Sequence, residues 1–128
     1  MTDTQEIKKP RVHAPKRDKY LRSRGGTCQF LIIRCSKCSG YVALYQKDGP
    51  GDLLRLYLDR IFEPTSLVER CATAAKKSDY SGLTCPKCRQ LIGVPMIYEP
   101  ENRLAFRLIK GRFRKEKSNG TYIPDEGQ

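Results

Sequence analysis

Two C-x-x-C motifs constrain the fold of this chain more than any other feature. They are Cys35-Ser-Lys-Cys38 and Cys85-Pro-Lys-Cys88, and 46 residues separate them. A C-x-x-C turn directs two thiolates toward one point, so two such turns supply the four sulfurs of a tetrahedral zinc site. We therefore expect two hairpin tips to meet at one Zn²⁺ held by Cys35, Cys38, Cys85 and Cys88. Disulfides or separate redox pairs are the alternatives, and a reducing cytosol disfavours both.

A four-cysteine site has no open coordination position, which favours a structural metal over an activated water. Four thiolates on one Zn²⁺ leave a net charge near −2, and the neighbouring Lys37 and Lys87 are expected to offset it. Gly40 follows the first motif where a positive φ is often needed. Arg89-Gln90 follows the second motif, so the two halves are expected to differ.

Two further cysteines, Cys28 and Cys71, lie outside the motifs. Free cysteine is among the most buried residue types, so we expect both to be small core residues. The alternatives are that one of them is a nucleophile, that the two form a redox pair, or that one replaces a zinc ligand. A nucleophilic thiol needs a base, and His13 is a poor candidate for that base.

Apolar and β-branched runs predict strands over 27–34, 41–46, 91–98 and 103–109, with an interruption at Pro95. Residues 53–62 fit either a strand or a helical stripe, and we favour a strand. A capping box, Ser66-Leu-Val-Glu69, predicts one inserted helix near 65–78. The predicted fold class is mainly β, with zinc-ribbon or β-tent-like antiparallel sheets joined at the four-cysteine zinc site.

The formal net charge of +11 is concentrated at the two ends of this fold. Residues 1–24 carry a net charge of +5 and few apolar side chains, so they predict a flexible basic arm. Residues 25–117 form the predicted zinc-binding β domain, and residues 118–128 a loose C-terminal tail. Within the domain, residues 103–117 carry a net charge of +6.

No apolar run approaches the roughly 18 residues of a membrane-spanning helix, which excludes one, and the N-terminus has no secretory signal pattern. We expect a cytoplasmic protein, or a nuclear one in a eukaryote.

The paired motifs and the strand pattern over about residues 25–114 resemble the β-tent folds of methionine sulfoxide reductase B, Yippee and cereblon-type domains. This resemblance implies two β-sheets packed at an angle, with Cys35, Cys38, Cys85 and Cys88 as structural zinc ligands. It does not extend to activity. The chain has no Trp for a substrate pocket or an aromatic cage, and no cysteine follows Cys88.

The first hypothesis for a partner is nucleic acid, either RNA or DNA, because both flanks of the chain are basic. Cations pair with phosphates, and an exposed aromatic side chain can stack on a base. Phe106 alternates with arginines and is expected in the core, whereas Phe113 is the better exposed candidate. The predicted nucleic-acid contacts are Arg107, Lys110, Arg112, Phe113, Arg114, Lys115 and Lys117.

A protein-interaction or assembly module, binding an acidic protein surface, is the second hypothesis. The 65–82 region and the 47–52 turn would then form its variable surface. A thiol-dependent enzyme is the third, and no paired carboxylates, nucleophile–base set or open metal site supports it.

Overall fold

Short apolar runs separated by turn-forming residues build a mainly β fold, which confirms the predicted fold class. The computed structural model describes residues 10–122, and the statements below concern that part of the chain. The strands are β1 (Arg11–Val12), β2 (Cys28–Cys35), β3 (Tyr41–Asp48), β4 (Arg55–Tyr57), β5 (Ile61–Glu63), β6 (Leu83–Thr84), β7 (Leu91–Tyr98), β8 (Arg103–Leu108), β9 (Phe113–Ser118) and β10 (Thr121–Tyr122). The helices are α1 (Lys19–Ser23) and α2 (Thr65–Ala72), with 3₁₀ turns at Leu58–Arg60, Lys77–Asp79 and Glu99–Glu101.

The strands form two antiparallel sheets of four strands each and a short ribbon. The first sheet has the order β5-β3-β2-β9, the second has the order β4-β8-β7-β6, and β1 pairs with β10 in the terminal ribbon. The two long hairpins, β2–β3 and β7–β8, form the centre of each sheet. Strands β9 and β4 therefore lie at sheet edges.

The main core lies between the two sheets. Alternate residues of β2, such as Leu31 and Ile33, face Leu56, Ile92 and Phe106 of the second sheet. Phe106 is 1 % exposed, which confirms its predicted core position. Helix α2 closes one side of this core through two buried residues, Leu67 and Cys71.

The opposite face of the first sheet is also buried. A second cluster contains Phe30, Tyr41 and Leu44 from the sheet and Tyr122 from the terminal ribbon. Because both faces of β3 are covered, its side chains are buried without alternation from Tyr41 to Lys47. Two covered faces explain why this strand has a continuous rather than an alternating apolar pattern.

Residues 10–24, part of the predicted flexible arm, make specific contacts with both sheets. Arg11 and His13 contact the buried Glu63, Leu21 is 3 % exposed, and Arg24 pairs with Glu101. Counting apolar residues does not anticipate this packing, because most of the contacts are charged hydrogen bonds. Residues 1–9 and 123–128, which complete the predicted arm and tail, lie outside the described residues.

Helix α2 confirms the predicted inserted helix, but it is shorter than predicted and ends at Ala72. Its N-cap is Pro64, which offers no side-chain acceptor, and Ser66 lies inside the helix, so the predicted capping box does not form. The carboxylate of Asp79 accepts hydrogen bonds from the amides of residues 75 and 76. Amides bonded in this way are not available to continue the helix.

The ambiguous segment 53–62 is neither one strand nor one helix. It contains β4, a 3₁₀ turn at Leu58–Arg60 and the beginning of β5, so the chain passes from the second sheet to the first. Strand β7 continues through Pro95, which pairs with Phe106 of β8. Within the described residues, no helix is long and apolar enough to cross a membrane.

Candidate metal centre

The two C-x-x-C motifs lie at the tips of two hairpins, one from each sheet. The first joins β2 to β3 and the second joins β6 to β7. The Sγ atoms of Cys35, Cys38, Cys85 and Cys88 all lie within 4.8 Å of one another. Zn–S bonds of about 2.3 Å would place tetrahedral sulfurs roughly 3.8 Å apart. The cluster therefore has the donor set and the dimensions for one metal ion, and we expect that ion to be zinc.

The backbone forms the same turn around both motifs. The amide of Cys35 donates to Gly40 O and the amide of Cys85 to Gln90 O, each at 2.9 Å. Ser39 and Arg89 occupy equivalent positions, with φ of 64° and 70°. The positive φ expected at Gly40 lies instead one residue earlier, at Ser39. The two motifs are thus more alike in backbone than their sequences suggest.

Gly40 is favoured at the site by lack of space rather than by its φ. A Cβ placed there would lie 3.1 Å from Cys38 Sγ, 3.1 Å from Lys87 Cδ and 3.4 Å from Cys85 Sγ. The amide of Gly40 also donates to Cys38 Sγ at 3.3 Å. A side chain at this position would crowd the sulfurs and weaken that contact.

Gln90 stands at the position equivalent to Gly40 and links three parts of the site. Its Nε2 donates to Cys35 Sγ at 3.5 Å, to Ser36 Oγ at 3.3 Å and to Arg112 O at 3.1 Å. In the sequence, Gln90 is visible only as a difference between the two motifs. Its role depends on the approach of the β8–β9 turn, which the motif spacing does not reveal.

The four thiols perturb one another's protonation. Burial raises the pKa of Cys35, but the amides of Cys38 and Lys37 and the neighbouring thiols outweigh it and lower the pKa to about 7. The Gly40 amide lowers the pKa of Cys38, but the Cys85 thiol, burial and the other thiols outweigh it and raise the pKa to about 11. Opposite shifts are expected where neighbouring thiols cannot all become thiolates together. A divalent cation would allow all four to deprotonate.

The two remaining cysteines are separate from this cluster. Cys71 is 8 % exposed and packs in the main core, as predicted, while Cys28 is half-buried at the start of β2. Burial raises the pKa of both thiols. A raised pKa lowers the thiolate fraction at neutral pH and so opposes nucleophilic reactivity.

The chain between β8 and β9 is attached directly to the metal centre. The amide of Ser36 donates to Arg112 O at 3.1 Å, and its hydroxyl donates to Gly111 O at 2.9 Å. Arg112 also donates from Nη1 to Leu91 O. The beginning of the basic strand β9 therefore rests on both cysteine turns.

The predicted nucleic-acid residues fall into two groups. Lys110, Phe113, Arg114 and Lys115 line one groove of about 620 Å³, together with Asp52, Leu53, Leu54 and Leu108. Arg107 lies outside that groove on β8, where it is the backbone partner of Arg55 in the neighbouring strand β4. Arg112 and Lys117 are exposed but also do not line the groove.

Phe113 is only partly exposed. It pairs with Cys35 across β2–β9 and packs against the main core, because it belongs to the core-facing side of the sheet. The most exposed apolar residue of the groove is instead Leu54, at 59 %. The sequence does not single out Leu54, since an alternating leucine run gives no sign of which leucine remains outside.

Comparisons with protein-family models, curated proteins and solved structures found no match for this chain. The mainly β fold and the four-cysteine cluster agree with the general features of a zinc-binding β domain. The closer resemblance to methionine sulfoxide reductase B, Yippee and cereblon-type domains stays an expectation. The function must therefore be argued from the site itself.

Proposed function

We propose that this chain is a structural-zinc domain that binds nucleic acid, RNA or DNA, along strand β9. The observation that carries the proposal is a row of exposed cations on an edge strand beside a partly apolar groove. Arg114, Lys115 and Lys117 are exposed on β9, and Lys110 and Arg112 are exposed in the turn before it.

These cations have little acidic compensation. Among the described residues, no carboxylate lies within salt-bridge distance of Lys110, Lys115 or Lys117, and Glu116 pairs with Arg34 instead. Unpaired lysines on an edge strand also discourage pairing with another sheet. Solubility is thus one use for them, and phosphate binding is a second use that their clustering favours.

The groove beside β9 supplies an apolar surface next to these cations. Leu54, Leu108 and the partly exposed Phe113 line it, together with Lys110, Arg114 and Lys115. A single strand can place phosphates against such cations and unstacked bases against an apolar wall. Duplex recognition would require an element that enters a groove, and the short α2 carries only a single cation, Arg70.

The metal centre supports this surface mechanically. Because Ser36 and Gln90 hold the turn at residues 111–112, the geometry of the cysteine turns determines where β9 begins. Loss of the metal should therefore weaken nucleic-acid binding even though no predicted contact residue is a ligand.

The test is fluorescence anisotropy of labelled single-stranded RNA and DNA between 50 and 200 mM salt. The double variant Lys115→Gln/Lys117→Gln should weaken binding and lower the salt slope by about 1.4, since each phosphate contact on a single strand contributes about 0.7. The matched control is Lys76→Gln/Lys77→Gln, which removes the same charge from an exposed segment away from the groove.

Equal losses in both double variants would show that binding follows net charge alone and would contradict an interface on β9. Binding that is independent of salt would contradict an electrostatic mode altogether.

A protein-interaction module is the second candidate, with an acidic protein surface as partner. The observation that favours it is the outer edge of β9, which pairs with no strand within residues 10–122. An extended acidic segment could add to this edge as a fifth strand. Partners that remain bound after nuclease treatment, and that Lys115→Gln/Lys117→Gln releases, would favour this candidate over nucleic acid.

A further inference from the structure

A second, smaller pocket lies beneath the glycine- and proline-rich turn that follows β3. Its volume is about 240 Å³, and Asp52, Leu53 and Leu54 separate it from the groove beside β9, since these three residues line both. Its other lining residues are Arg24, Tyr45, Lys47, Asp48, Pro50, Arg55 and Tyr57. The 47–52 turn thus forms a wall of a pocket.

Lys47 is the unusual member of this lining. It is 7 % exposed, although lysine is rarely buried without a carboxylate partner. Its Nζ donates to Gly49 O at 2.8 Å, and no carboxylate in the described chain lies within salt-bridge distance. An ammonium group has three donors, so two remain without a protein acceptor. Burial, and next the charge of Lys115, lower its pKa, and the more distant charges of Asp48 and Asp52 offset only part of this shift.

Tyr57 contributes a further unused donor. Its hydroxyl oxygen accepts hydrogen bonds from Arg24 Nη2 at 3.1 Å and from Arg55 Nη1 at 3.2 Å. Because both acceptor positions of the oxygen are taken, its own O–H must donate elsewhere. None of the described residues accepts that hydrogen bond, and Tyr57 is only 7 % exposed.

Arg55 is the second cation in the pocket without an acidic partner in the part of the chain that the structure describes. Its guanidinium lies 4.5 Å from the ring centroid of Tyr98, within the range of a cation–π contact. By contrast, Arg24 is paired with Glu101, and Asp48 is paired with Arg60. The charges left over are those of Lys47, Arg55 and the exposed Asp52 on the rim.

We propose that this pocket binds a phosphate monoester through Lys47, Arg55 and the Tyr57 hydroxyl. A monoester carries a charge of about −1.5 to −2 and three acceptor oxygens, which match two cations and a surplus of donors. A carboxylate brings less charge and fewer acceptors. A phosphodiester inside a continuous chain carries a single charge, and a pocket of this volume suits a terminal group.

Two sources share this chemistry: a free mononucleotide or sugar phosphate, and the terminal phosphate of a nucleic-acid strand lying on β9. Binding of a strand end depends on the proposed nucleic-acid function, whereas binding of a free phosphate monoester in the pocket does not. Because Asp52 lies on the rim, its charge opposes a phosphate, so removing that charge should tighten binding.

The test is a titration with inorganic phosphate, a nucleoside 5′-monophosphate and acetate, followed by amide shifts in NMR spectra and by calorimetry. The two phosphates should shift the amides of residues 47–57, and acetate should bind at least tenfold more weakly. Lys47→Met and Arg55→Gln should each weaken phosphate binding by about ten- to a hundredfold, the loss expected for a charged hydrogen bond. Asp52→Asn should strengthen it, and the exposed control Lys77→Met should leave it unchanged.

Because Lys47 is buried, Lys47→Met requires a circular-dichroism check of its fold. If it fails to fold, the partly exposed Arg55 and the exposed Asp52 still test the pocket through opposite changes in affinity. The phosphate site is overturned if neither phosphate shifts these amides, or if Arg55→Gln and Asp52→Asn leave the affinity unchanged.

Matched single strands with a 5′-phosphate and a 5′-hydroxyl separate the two sources. Tighter binding of the phosphorylated strand, lost in Arg55→Gln, supports the strand end. If free phosphates bind but no oligonucleotide does, the pocket stands and the nucleic-acid function fails. If both strands bind equally and free phosphates do not bind, the nucleic-acid function stands and the pocket fails.

Discussion

Arg60 offers the sharpest test of how the N-terminal segment is held. Its guanidinium is 1 % exposed and donates from Nε to Asp48 at 2.9 Å, and from Nη1 and Nη2 to Asp18 at 3.0 and 2.7 Å. Asp18 in turn accepts from the amides of Tyr20 and Leu21 and so caps α1. One buried cation therefore joins the first sheet to the segment that precedes it.

We expect Arg60→Met to destabilise the fold strongly. The substitution leaves Asp48, whose side chain is 5 % exposed, buried with only the Gln46 amide as a hydrogen-bond partner. Breaking a buried pair by removing one partner costs about 3–5 kcal/mol, because the remaining charge stays uncompensated. An unfolding entropy of about 2.1 cal/mol/K per residue gives roughly 0.27 kcal/mol/K for this chain. The expected fall in Tm is therefore about 10–20 °C.

The assay is thermal and urea unfolding followed by circular dichroism in the metal-loaded protein. Arg70→Met, an exposed position on α2, is the matched control and should change the free energy of unfolding by less than about 0.5 kcal/mol. Adding Asp48→Asn to Arg60→Met should recover part of the loss, because it removes the unpaired charge. An Arg60→Met protein within about 1 kcal/mol of the control would refute this reasoning.

Three further predictions concern the metal centre and the terminal segment. Removing the metal with a chelator should unfold the core, since such sites supply on the order of 10 kcal/mol; an unchanged melting curve would contradict a structural metal. Gly40→Ala should weaken zinc affinity about tenfold in a chelator competition, because its Cβ would lie 3.1 Å from Cys38 Sγ; wild-type affinity would show that the turn relaxes freely. Burial raises the pKa of Glu63, but hydrogen bonds from Arg11 and His13 outweigh it and lower the pKa below its ordinary value of 4.5. That stabilisation is present above about pH 4.5 and is lost as the pH falls through the lowered pKa, so Glu63→Gln should flatten the acid limb of stability against pH; identical limbs would refute it.

The sequence by itself determines those features that depend on residues close together in the chain. The C-x-x-C spacing predicts two thiol turns, and the structure brings their four sulfurs within 4.8 Å. Apolar runs correctly predict β2, β3, β7 and β8, because strands this apolar must be buried in a sheet. The position of Phe106 followed in the same way from its alternation with arginines.

Features that depend on distant partners were decided by the tertiary structure alone. Residues 10–24 lack the apolar content to order themselves, yet Glu63, Gln46 and Arg60 provide buried partners for their charged and backbone groups. Local sequence shows none of these partners, since the two residues of each pair are at least 30 positions apart in the chain. The helix α2 ends early for a nearer reason, because the Asp79 carboxylate binds the amides of residues 75 and 76, just beyond the end of the helix.

The cysteine pairs were thus sufficient to predict a metal centre, because two thiol ligands close together in one turn indicate metal binding wherever the turn lies in the fold. The pocket under the 47–52 turn could not be predicted. Its Lys47, Arg55 and Tyr57 come from two sheets, and each residue type is ordinary by itself. Only the packing of the sheets shows that Lys47 is buried with no carboxylate of residues 10–122 within salt-bridge distance, and that both acceptor positions of the Tyr57 hydroxyl are already occupied.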